Sequence, residues 1–175
     1  PAHEEAFVEA MRPVAVDGDE AAARQKLREV PDLPDAAFMA CFLALKHEAP
    51  EEAEAAFRTV LQNPEVLGTY YTKYELYMSL TMPVTEQAAA EIVPSAKGAR
   101  FGLIEALQGQ GKLQEARKEA LRLLGLNPGD PVPLASYLEL LMETGTQEDY
   151  KEVVERTKDV ENDSELHTIL LLDKA

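Results

Sequence analysis

Three triplets with aromatic side chains recur along this chain at helical spacing. Phe38, Phe42 and Leu45 stand at i, i+4 and i+7, which puts them on one helix face. Tyr70, Tyr74 and Tyr77 repeat that spacing 32 residues later. Phe101 follows after a further 31, with Glu105 and Gln108 in place of the second and third apolar residues. The chemistry such a stripe offers is recognition. Aromatic faces hold apolar segments or amphipathic helices, and tyrosine hydroxyls keep the surface wet. The alternative is that the same rings pack against neighbouring helices. Each buried ring then contributes about 1.5–3 kcal/mol.

Residue types that could do catalysis are present but scattered. His3, His47 and His167 are far apart, and none has a second ligand at metal spacing. Cys41 lies among Ala37, Ala40 and Ala44, a setting for a small packing residue rather than a nucleophile. Ser79, Ser95, Ser136 and Ser164 stand in no strained nucleophile turn. Gly109-Gln110-Gly111-Lys112 has phosphate-loop residue types, but it follows a helical pattern and lacks the required spacing. The chain is therefore expected to have no catalytic residues, no metal site and no cofactor.

Composition limits the partners. The net charge is −15 over 175 residues, divided as −8 over 1–66, +1 over 67–126 and −8 over 127–175. Acidic ends repel phosphate backbones and anionic lipid, so nucleic acid and membrane are not expected partners. Apolar residues make up 46% of the chain, enough for a core, and with aromatics at only 6% the balance favours helix over strand. No run approaches the roughly 20 apolar residues of a membrane span. A single cysteine gives no internal disulfide. The default location is cytoplasmic; a periplasmic one, or membership of a longer chain, stays open.

The elements carrying these residues alternate as helix pairs over 3–30, 34–63, 66–93, 96–127 and 132–160, with a terminal helix over 164–173. Pro13 should shorten or kink the first helix. Residues 35–46 are apolar nearly all round and must be covered on several sides. Thr85 to Val93, rich in alanine, reads as a short helix ended by Pro94. The most regular unit is 97–130, in which two helical patterns are separated by Gly109 and Gly111 and closed by Asn127-Pro128. One domain of about eleven helices is expected.

A helix–turn–helix unit of about 34 residues has the period of tetratricopeptide repeats. Ala53-x3-Phe57 with Pro64, Ala116-x3-Ala120 with Pro128, and Ala23-x3-Leu27 resemble the motif of the second helix in that family. The chain departs from it at Arg100 and Ile104 in the fourth pair, and at Lys73 in the third. The resemblance implies an all-α, right-handed superhelix of antiparallel helix pairs whose first helices line a concave groove. Phe38, Phe42, Leu45, Tyr70, Tyr74, Tyr77, Phe101 and Glu105 would form the groove floor. It further implies a non-enzymatic protein–protein interaction module that takes a peptide or an amphipathic helix. An accessory repeat module of a larger enzyme or redox protein, or a self-assembling scaffold, is the alternative.

Ile169, Leu170, Leu171 and Leu172 add one more expectation. Four successive residues turn about 400° around a helix, so they cannot all face the preceding pair. A second copy of the chain, or residues beyond this sequence, would cover them.

Overall fold

The structure is a computed structural model that describes residues 2–77, 79–84 and 88–156, without the side chains of 152–154 and 156. It is mostly helical, with nine α-helices and one two-stranded sheet among the described residues. The chain divides into two compact units. One runs to Thr81 and resumes over Glu91–Gly111; the other comprises Met82–Ala90 and the chain from Lys112 onward. The expected terminal helix, with Ile169 to Leu172, lies outside the described residues, as do 157–160 of the last pair.

The first unit begins with α1 (Ala2–Arg12), which buries Phe7, Ala10 and Met11 along one face. Pro13 has no N–H to continue the ladder, and the helix widens into a π turn over Pro13–Asp17. Gly18, at φ 66°, closes that turn, and the Asp19 carboxylate caps α2 (Glu20–Leu27) by accepting from the Ala22 N–H at 3.0 Å. Next come α3 (Pro34–Lys46) and α4 (Pro50–Val60), each with proline in its first turn, where the missing N–H costs nothing. The all-round apolar α3 is covered as its composition demands, by α1, α2, α4, α5 (Thr69–Lys73) and α6 (Ala96–Gly109). Ion pairs bind the outer edges: Glu20 of α2 meets Lys46 and, at 2.7 Å, His47, while Arg24 meets Glu52 of α4 at 2.6 Å.

The expected third pair is not a helix pair. Between α4 and α6 the chain makes a 3-10 turn (Pro64–Val66), the five-residue α5, and the paired strands β1 (Leu80–Pro83) and β2 (Ala89–Ile92). Glu75 stops α5 early. It sits at φ 52°, and the Leu76 N–H reaches back to the Tyr71 carbonyl at 2.9 Å. That is the helix-ending geometry which glycine usually occupies. Alanine propensity predicted a helix over Thr85 to Val93; residues 85–87 lie outside the described residues, and Ala89–Ile92 is a strand with Ala90 and Ile92 buried and Ala89 and Glu91 exposed. Burial alternates along Ala89–Ile92 and β1 supplies a pairing partner, which suits a pleated strand rather than a helix face.

With the third pair replaced by this excursion, α6 packs directly against α4. Gly102 makes the approach possible, because a Cβ there would lie 2.1 Å from the Phe57 ring. Gln110 then ties the end of α6 to α4, donating to Glu54 at 2.7 Å and to the Pro50 carbonyl at 3.3 Å.

The second unit holds α7 (Leu113–Leu126), α8 (Pro131–Thr144) and α9 (Gln147–Arg156). Ala116, Ala120 and Leu123 of α7 are buried, and α8 packs on that helix, burying Leu134, Leu138 and Leu141. Asp130 caps α8 through the Val132 N–H at 3.0 Å. Arg117 joins Asp149 of α9 at 3.0 Å. The boundary between the two units thus falls inside the expected fourth pair, at the Gly111–Lys112 turn.

Candidate functional site

The aromatic stripe divides. Phe38, Phe42 and Phe101 are buried in the first unit's core, so they pack rather than line a surface. Phe38 meets Phe57 and Tyr71 edge-on, with centroids 6.1 and 6.2 Å away. Leu45 is half-buried. The physical reason for Phe38 and Phe42 is that α3 is packed against by α1, α2, α4, α5 and α6, which cover both rings. Tyr70 is half-buried and stacked on Phe7 at 5.2 Å. Tyr74 and Tyr77 are the rings that reach solvent, at 39% and 93% exposure.

These two tyrosines belong to the excursion, which three anchors hold. The first is Asp35, in the first turn of α3 and only 2% exposed. Its Oδ1 accepts from the Gly68 N–H at 2.6 Å and its Oδ2 from the Tyr70 N–H at 2.7 Å. The Tyr71 hydroxyl donates to the Asp35 backbone carbonyl at 3.2 Å, and burial holds that phenol well above its usual range. The second anchor is the Phe7–Tyr70 stack. The third is Glu4 of α1, which accepts from both Lys73 and Tyr74. The Lys73 hydrogen bond, with the Tyr74 one behind it, lowers the Glu4 carboxyl below its usual range.

Two open clefts flank the tyrosines. One, about 450 Å³, is lined by Gly68, Tyr71, Leu76, Tyr77, Val93 and Pro94 among others. The second, about 530 Å³, is lined by Glu4, Glu5, Val8, Glu9 and Tyr74. The first is largely apolar; the second has an acidic rim. Neither brings together an acid, a base and a nucleophile. Asp35 and Glu4 were not marked by the sequence, because each acts on partners more than 30 residues distant.

Cys41 is buried in α3, where desolvation pushes its thiol well up. Among the described residues no group of three or more His, Cys, Asp or Glu is placed to hold a metal ion, and no helix is long and apolar enough to cross a membrane.

Glu105 is half-buried in α6, and burial raises its carboxyl above the usual range. A raised carboxyl means that folding opposes ionisation. The cost is therefore present above the raised value and vanishes as pH falls below the ordinary one. Glu105→Gln should stabilise the protein at pH 7, and the gain should shrink to nothing near pH 4. Urea midpoints across that range will read it.

No family model, curated protein or solved structure matches this chain.

Proposed function

We propose that this chain is a non-enzymatic protein–protein interaction module whose helix pairs follow the right-handed, tetratricopeptide-like plan. Its binding face is the excursion between α4 and α6, not the first helices of the pairs. The observation that carries this reading is Tyr77. A ring 93% exposed beside an apolar cleft of about 450 Å³ has no packing role to explain it. Insertions into repeat arrays also tend to sit on the binding face. Tyrosine with a neighbouring apolar pocket is the anchor pattern of protein interfaces. The cleft suits an extended apolar segment or one face of an amphipathic helix.

Capture from native lysate, followed by titration of the purified partner, tests the proposal. Tyr77→Ala should weaken the captured partner by about tenfold or more. It should leave the unfolding midpoint unchanged, because the ring contributes nothing to the core. A partner that binds Tyr77→Ala as tightly as the wild type would remove this cleft from the function.

A further inference from the structure

We infer that the chain associates head to tail with further copies of itself, the outer face of α7 docking antiparallel on the outer face of α1. On α1 the exposed charges run Glu5, Glu9, Arg12, that is minus, minus, plus. On α7 the exposed charges read backwards are Arg122, Lys118, Glu115, that is plus, plus, minus. The intervals are the same, four and then three residues, so an antiparallel pairing sets Glu5 against Arg122, Glu9 against Lys118 and Arg12 against Glu115 in a single register. At a rise of about 1.5 Å per residue the three pairs span about 10.5 Å, two turns of each helix.

Both faces also carry apolar side chains that are in part exposed. Val8 is 42% exposed on α1, and Leu121 and Leu126 are 43% and 61% exposed on α7. Within one chain, Arg12 pairs with Glu9 at 3.6 Å and Arg122 with Glu119 at 3.8 Å, both loose surface contacts that an opposing helix can exchange. The match lies within this chain's own sequence, so the occupant it specifies is a second copy. One such contact leaves the first copy's α7 and the second copy's α1 open. Association therefore continues past the dimer unless the rotation closes a ring. The contact is small and works against a net charge of −15 per chain, so it belongs to the weak class of interfaces. This inference does not depend on the Tyr77 cleft, and either can fail alone.

Charge exchange tests it at one fixed ionic strength, by light-scattering mass from about 10 µM to about 1 mM, where weak interfaces fill. The wild type should rise above its 19.3 kDa monomer mass as concentration increases. The variant Glu5→Arg/Glu9→Lys should remain monomeric, and so should Lys118→Glu/Arg122→Glu, since each then opposes like charges. An equimolar mixture of the two variants restores complementary faces and should recover the wild-type rise. The four positions are exposed, so circular dichroism should show unchanged helix content. A wild type monomeric throughout overturns the inference. So does association that persists in either variant alone, or a mixture that stays monomeric while both variants are folded.

Discussion

Replacing Asp35 with alanine should cost about 3 kcal/mol and detach the excursion that presents Tyr74 and Tyr77. A charged acceptor on a backbone N–H is worth about 1.5–3 kcal/mol, and here one carboxylate serves two, at 2.6 and 2.7 Å. Alanine leaves the Gly68 and Tyr70 N–H groups in a part-buried site without their acceptor. The five residues of α5 cannot hold a helix by themselves, since nucleation alone is unfavourable at that length. Hydrogen exchange is the decisive measurement. Amides of Gly68 to Leu76 should lose protection in Asp35→Ala, whereas α7 and α8, in the other unit, should keep theirs. Asp35→Asn keeps one acceptor oxygen and should fall between the two. Protection that persists at Gly68 and Tyr70 would mean the stack on Phe7 and the Glu4 contacts hold the segment without Asp35.

This anchor also shows where sequence reasoning runs out. Helices α3, α4, α6, α7 and α8 were legible because their signals are local: prolines at the start of α3 and α4, apolar residues at three- and four-residue steps, glycine at the turn after α6. Asp35 carries such a local signal too, as an acid in a first helical turn, and that signal accounts for none of its structural work. Its acceptor role is spent on residues 33 and 35 positions away. The tyrosine triplet misled for a related reason. A shift of 32 residues aligns Tyr70 with Phe38, but Tyr70 stands on an excursion and the element that follows α4 in the packing is α6. Periodicity reports which face of a helix is apolar; it does not report which helix comes next in space. The alanines before Ile92 misled through propensity, which a strand partner overrides in so short a segment.

The packing of α6 on α4 can be tested with one substitution made at two glycines. Gly102→Ala should destabilise by about 2 kcal/mol. The new methyl would lie 2.1 Å from Cζ of Phe57 and 2.6 Å from both its Cε atoms. Phe57 is fully buried and has Phe38 edge-on at 6.1 Å, so the ring has no open space to move into. Either α6 backs away or the ring leaves its rotamer, at about 3 kcal/mol, and alanine's better helix propensity returns about 1. Gly125 in α7 is the control. Nothing lies within 4 Å of a Cβ there, so Gly125→Ala keeps the propensity gain and should stabilise by about 0.5–1 kcal/mol. Opposite signs for the same chemical change would tie the cost to Phe57 rather than to the loss of glycine. Phe57→Leu shortens the side chain where the methyl must go. Combined with Gly102→Ala it should cost at least about 0.5 kcal/mol less than the sum of the single changes. Additive costs would place the obstruction elsewhere than the Phe57 ring.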